Sequence, residues 1–207
     1  MPETLNKKHW YDGWFYAKTV NPFLKEFNDI ISNFVENNSS VIDIGCGTGA
    51  LAFKLSEKCK RVVGIELSLK MIQYANKQKE KGNYLNVEFI HADATKLSET
   101  MDQRFDYATT ALVIHEMKVD DRVKTINEMK AIAEKIIIAD YIAPQPKNLW
   151  GISNVLTEIV AGIDHYRNFK SFITHKGIDN LLYSCGLNIE QDKIDKTGTF
   201  RIVKVSF

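Results

Sequence analysis

The stretch Val41-Ile42-Asp43-Ile44-Gly45-Cys46-Gly47-Thr48-Gly49 constrains the fold more than any other. An apolar run meets three glycines at alternate positions, and a helical apolar pattern then resumes through Leu55. A buried strand that turns at once into a helix satisfies such a pattern. The following chain repeats the theme. Short β-rich runs at 61–67, 86–92, 105–114 and 135–142 alternate with helical patterns at 49–58, from the cap Ser68 onward, and at 119–134. Apolar strands separated by helices predict a mostly parallel sheet covered on both faces. The tail, with β patterns on either side of a turn at 196–198, predicts a hairpin, so the sheet of seven strands closes with an antiparallel C-terminal strand.

Two segments depart from the alternation. Residues 1–40 hold Trp10, Tyr11, Trp14, Phe15, Tyr16, Phe23, Phe27 and Phe34, and read as an N-terminal helical cap. Residues 144–183 carry two helical patterns and read as a helical lid insertion within a single domain spanning 1–207. With 27 basic and 26 acidic residues the net charge is +1, so the chain does not advertise a nucleic-acid surface. The amino terminus lacks the apolar core of a signal peptide, and no run approaches the roughly 20 apolar residues of a membrane span. Cys46, Cys59 and Cys185 form no CxxC pair, which suggests neither a zinc site nor a disulfide framework and fits a reducing cytoplasm.

Ligands of open parallel sheets bind beyond the carboxyl ends of the strands. Gly45, Gly47 and Gly49 lie there, at a helix amino terminus that favours negative charge. Glu66 ends the second strand, where an acid takes ribose hydroxyls in nucleoside-binding sheets. Asp93 follows the third strand at the same rim. The spacing GxGxG is neither the GxGxxG of dinucleotide binders nor a P-loop. Asp43, two residues before the first glycine, repels a pyrophosphate and welcomes an amine. An adenosine bearing an amino group and a carboxylate fits best, which describes S-adenosylmethionine.

Together, VIDIGCGTG, GIELS, HADAT and FDYATTALVIHEM resemble the successive motifs of class I S-adenosylmethionine-dependent methyltransferases, in the branch that includes the ubiquinone/menaquinone-biosynthesis enzymes and other small-molecule methyltransferases. The resemblance covers residues 41–142 and the terminal hairpin, and implies a Rossmann-like fold. It also implies roles: Asp43, Gly45, Cys46, Gly47 and Gly49 around the methionine part, Glu66 on the ribose, Leu67 and Met71 flanking the adenine, and Asp93 and Ala94 at its amino group. Ala111 and Leu112 would lie near the sulfonium, with Tyr11 or Tyr16 closing over the cofactor. S-adenosylhomocysteine would be the product.

The acceptor side is thinner. Methyl transfer requires positioning above all, and a base only when the acceptor is protonated. His115 follows the fourth strand, either as a base or substrate contact or as a loop histidine bonded to main chain. Asp140 and Tyr141 end the fifth, either at the substrate or as a capped strand end. In AGIDHYRNFKSF (161–172), Asn168 would cap a helix that sends Phe169 and Phe172 into the core, while His165 and Tyr166 are candidates for the acceptor pocket and Arg167 is a solvated charge or an anion contact. No spacing supports a metal. The sequence predicts methyl transfer to a small-molecule acceptor. A nicotinamide-dependent oxidoreductase, a non-catalytic S-adenosylmethionine-binding module and a tRNA or protein methyltransferase remain as alternatives.

Overall fold

A computed structural model describes residues 24–207. The elements run α1 (Lys25–Phe34), β1 (Ser40–Ile44), α2 (Ala50–Ser56), β2 (Arg61–Glu66), α3 (Leu69–Gly82), β3 (Val87–His91), α4 (Leu97–Thr100), β4 (Phe105–Ala111), α5 (Val119–Ile132), β5 (Ala133–Tyr141), α6 (Leu149–Ala161), α7 (Ile163–Thr174), α8 (Gly177–Ser184), β6 (Asn188–Ile194) and β7 (Phe200–Ser206). One sheet holds the strands in the order β3-β2-β1-β4-β5-β7-β6. The first five are parallel. β7 enters antiparallel beside β5, and β6 pairs antiparallel with it at the edge.

The central strands are apolar because both of their faces are covered. Val41, Ile42 and Ile44 of β1 and Ile136, Ile137 and Ile138 of β5 are completely enclosed, each such side chain stabilising the fold by about 1.5–3 kcal/mol. Phe27 of α1, Leu51 and Leu55 of α2, and Ile72 and Ala75 of α3 pack on one face. Ile126 and Met129 of α5, Phe169 and Phe172 of α7, and Ile178 and Leu181 of α8 pack on the other. Ser68 caps α3, its hydroxyl accepting the Met71 N–H. The seven-stranded, mostly parallel arrangement and its antiparallel close are as expected from sequence.

Three boundaries differ. The fourth strand stops at Ala111 rather than running to 114, because Leu112 turns to φ +58° and the chain enters a short 3-10 turn at Ile114–Glu116. The 144–183 region forms three helices up to Ser184, not two, with Gly162 separating the first pair. Asn168 consequently lies inside α7 instead of capping it, and its side-chain amide donates to the Glu116 carbonyl at 2.8 Å. Phe169 and Phe172 do enter the core. The N-terminal aromatics from Trp10 to Phe23, including Tyr11 and Tyr16, lie outside the described residues.

Candidate active site

Strand order reverses between β1 and β4, the position at which such sheets bind ligands. A cleft of about 460 Å³ opens there, lined by Gly45, Gly47, Glu66, Leu67, Ser68, Met71, Asp93, Ala94, Ala111 and Leu112, and on its other side by Val113, Glu116, Met117, Lys118, Asp121 and Asn168. A smaller recess of about 50 Å³ shares Gly45, Gly47, Ala111 and Leu112 with it and adds Asp43 and Cys46. Gly49 lines neither. It starts α2, and a Cβ there would stand 2.6 Å from the Phe89 ring, so glycine is what lets helix and strand meet so closely.

The loop between β1 and α2 is built by backbone hydrogen bonds. Gly45 and Cys46 donate to the Ile65 carbonyl at 2.7 and 3.0 Å. Gly45 sits at φ +72°, and a Cβ would come within 2.8 Å of Val113 Cγ1. Both the dihedral and the contact demand glycine. Gly47 faces open space and donates its N–H to Glu66 Oε2 at 3.1 Å, while Glu66 Oε1 accepts from Ser68 N at 2.8 Å. Two main-chain donors thus fix the Glu66 carboxylate at the cleft. Asp93 Oδ1 accepts from both the backbone and the hydroxyl of Thr95, which holds that carboxylate at the rim.

Asp43 is the electrostatic oddity of this half. It is 1% exposed. Thr109 donates to Oδ1 at 2.9 Å, and Oδ2 has no partner among the described residues. Burial raises its pKa to about 7, against the lowering by the Thr109 bond and with help from the nearby Glu66 charge. An unsatisfied buried carboxylate oxygen beside an open glycine loop fits a cationic amine. A negatively charged pyrophosphate does not fit it. Burial also pushes the Cys46 thiol well up, with Asp43 and Glu66 adding to it, so Cys46 is a small packed side chain rather than a thiolate.

Of the other candidates, His115, His165 and Tyr166 do not line the cleft; their neighbours Glu116 and Asn168 do. His115 is 2% exposed beneath the wall. Asp140 Oδ1 lies 2.7 Å from its Nδ1, and Asp140 Oδ2 accepts the His115 N–H at 3.2 Å. Glu158 Oε1 stands 3.5 Å from His115 Nε2 and accepts the Tyr141 hydroxyl at 2.9 Å. Burial alone would lower the His115 pKa, but Asp140 and Glu158 outweigh it and raise it well above the usual histidine value. His165 Nδ1 lies between Glu116 Oε1 at 3.7 Å and Glu158 Oε2 at 3.9 Å. Tyr166 packs partly buried against the core. Arg167 is exposed beside Asp164.

Sequence reasoning missed Glu158. Its signal was available: it is the one charged residue in the α6 run LWGISNVLTEIVA. Among the described residues, no group of three or more His, Cys, Asp or Glu is placed to hold a metal ion, and no helix is long and apolar enough to cross a membrane.

The fold is that of class I S-adenosylmethionine-dependent methyltransferases. A family model described as a methyltransferase domain matches residues 35–177, and the chain belongs to that family. It is 30% identical over 136 residues, 60% of this chain and 62% of the relative, to an uncharacterized methyltransferase of Staphylococcus carnosus. It is 27% identical over 163 residues, 77% of this chain and 43% of the relative, to (S)-tetrahydroprotoberberine N-methyltransferase of Eschscholzia californica. The chain therefore spans less than two thirds of the length of these curated relatives. Among solved structures, magnesium protoporphyrin IX methyltransferase from Synechocystis PCC 6803 with bound S-adenosylhomocysteine shares the fold, with a TM-score of 0.63 and 19% identity over 90% of this chain and 82% of that one.

Proposed function

We propose that the protein transfers the methyl group of S-adenosylmethionine to a small-molecule acceptor. The observation that carries this reading is the pairing of an unsatisfied, buried Asp43 oxygen with a Glu66 carboxylate braced by Gly47 and Ser68 at one cleft. When bound, the cofactor supplies an electrophilic methyl on a sulfonium, a leaving group that needs no acid.

The chain's own residues then have positioning to do. Glu66 would take the ribose hydroxyls, Leu67 and Met71 would flank the base, and Asp93 with Ala94 would meet its amino group. Gly45, Cys46, Gly47 and Asp43 would surround the amino-acid end, with Gly49 packing the helix behind them. Ala111 and Leu112 would face the reacting carbon. The acceptor would enter between Val113, Glu116, Met117 and Asn168, a wall partly shielded from water, where alignment alone is worth roughly 7–11 kcal/mol. Glu116, backed by His165, is the group that would accept a proton from a protonated acceptor. His115 and Tyr166 would act from behind the wall. The small-molecule acceptors named for the poppy and Synechocystis relatives support this acceptor class, and the helices of 149–184 would serve as the lid.

Thermal melting with S-adenosylmethionine, S-adenosylhomocysteine and NAD in separate samples tests the cofactor. A ligand at 100 times its Kd adds about 2.7 kcal/mol, which at about 2–4 °C per kcal/mol shifts Tm by roughly 5–11 °C. The shift is expected with the two sulfur nucleosides only. A shift with NAD alone would overturn the reading.

A further inference from the structure

Helix α6 is held to the protein in an unusual way. Its outward face is apolar, with Leu149, Trp150, Ile152, Leu156 and Val160 all more than half exposed. Of its thirteen residues only Gly151 and Glu158 are buried. Val155 packs partly buried against the core, and the buried side chain beside it on the inner face is the Glu158 carboxylate, set against the Tyr141 hydroxyl at 2.9 Å and His115 Nε2 at 3.5 Å.

His115 belongs to the turn that forms the acceptor wall. That turn is pinned at every level. Asp140 holds the His115 ring and N–H. Arg122 Nε donates to the Ile114 and Met117 carbonyls at 3.2 and 3.1 Å. Asn168 donates to the Glu116 carbonyl. Two residues before His115, Val113 presses against Gly45 so closely that no Cβ fits between them. A continuous set of contacts thus runs from the glycine loop through Val113 and His115 to Glu158 and α6.

We infer that Glu158 is a positioning residue that couples α6 to the glycine loop through His115 and the 112–117 wall, so that ligand contact at the loop is felt by the helix. This coupling rests on the cofactor reading only for the identity of the ligand that drives it. The structural connection exists without it. Packed contacts transmit a change when the elements they join have discrete alternative arrangements.

Hydrogen exchange of the full chain, read by mass spectrometry, measures it in two arms. Without ligand, Glu158→Ala is expected to speed exchange at least tenfold in 112–117 as well as in 149–161, with β1, β4 and β5 unchanged. Acceleration confined to 149–161 would overturn the inference, because Glu158 would then anchor only its own helix. With S-adenosylhomocysteine, the wild type is expected to slow exchange in both segments, whereas Glu158→Ala slows it in 112–117 alone. An equal response of 149–161 in the variant would also overturn it. Should Glu158→Ala fold poorly, Glu158→Gln keeps an acceptor for the Tyr141 hydroxyl but removes the charge facing His115. The groups around that ring are Asp140 from β5, Glu158 from α6, and Arg122 and His165 beyond them. In Glu158→Gln the NMR titration midpoint of His115 is expected to fall, with the 149–161 response to the ligand reduced at least twofold. An unmoved midpoint or an undiminished response would count against the inference. A wild type that fails to bind S-adenosylhomocysteine by calorimetry would remove the cofactor reading, while the ligand-free arm would still decide the coupling.

Discussion

His115 Nδ1 lies 2.7 Å from Asp140 Oδ1 with both side chains almost wholly enclosed, so the cleft wall at 112–117 rests on a buried ion pair. The raised His115 pKa has a definite consequence for stability. A histidine whose folded value exceeds its unfolded value, about 6.5, contributes stability that is fully present below 6.5 and is lost as pH rises through the folded value. Asp43 acts in the same direction over a lower window. Its folded value of about 7 lies above 3.8, so the folded state binds the extra proton between those limits and loses stability across them. The ligand-free protein is expected to become steadily less stable from pH 5.5 to 8.5 in urea unfolding. At about 1.36 kcal/mol per pKa unit, Asp43 accounts for about 2 kcal/mol of that fall. Asp43→Asn should remove this share and leave the His115 slope. A flat or rising profile in the wild type would contradict both assignments.

The same Asp43 predicts a pH-dependent affinity. A cationic amine beside it requires the ionised carboxylate, and below pH 7 ionisation must be supplied from binding energy. Affinity for S-adenosylmethionine should therefore rise roughly eightfold between pH 6 and 7.5, as the ionised fraction of a group titrating near 7 rises. Calorimetry in two buffers of different ionisation enthalpy should register proton release near pH 6. Asp43→Asn is expected to bind more weakly and without this pH trend; an unchanged trend in the variant would place the titrating group elsewhere.

Glu66→Ala removes the acceptor proposed for the ribose and the bond that orients Gly47. Each hydrogen bond to a charged group contributes about 1.5–3 kcal/mol, so a loss of affinity between roughly tenfold and 150-fold follows. Glu66→Gln should fall between, since its carbonyl serves only one of the two backbone donors. Equal calorimetric affinities for the three proteins would falsify the ribose assignment.

The sheet and the cofactor half were legible because their signals are local. Val41, Ile42 and Ile44 announce a strand covered on both faces, and the glycines and acids that follow β1, β2 and β3 fall at one rim whatever the details of packing. The acceptor half was not legible in this way. His115, Asp140 and Glu158 come from a turn, a strand end and a separate helix, and no spacing in the sequence relates them. His115 and Asp140 were each visible as polar residues after a strand, but their pairing depends on β4 and β5 lying side by side. Asn168 misled for a similar reason. Its type suits a helix cap, yet its amide is used in tertiary contact with Glu116, which propensity does not encode.

Gly45 and Val113 offer a test that separates dihedral from steric strain. Gly45→Ala places a Cβ at φ +72°, a left-handed conformation costing roughly 1–2 kcal/mol for an alanine. It also drives that Cβ into Val113, an overpacking that costs about 1–3 kcal/mol more. Urea unfolding of Gly45→Ala should show a loss of about 2–5 kcal/mol, the sum of the two. Val113→Ala opens the contact, so introducing it in the Gly45→Ala background should destabilise less than it does in the wild type, or even restore stability. The dihedral share should remain in the double variant because Val113 has no part in it. A double-mutant cycle with coupling below about 0.5 kcal/mol would mean that the loop moves away from the wall to admit the methyl group, and that Gly45 is needed for its backbone angle alone.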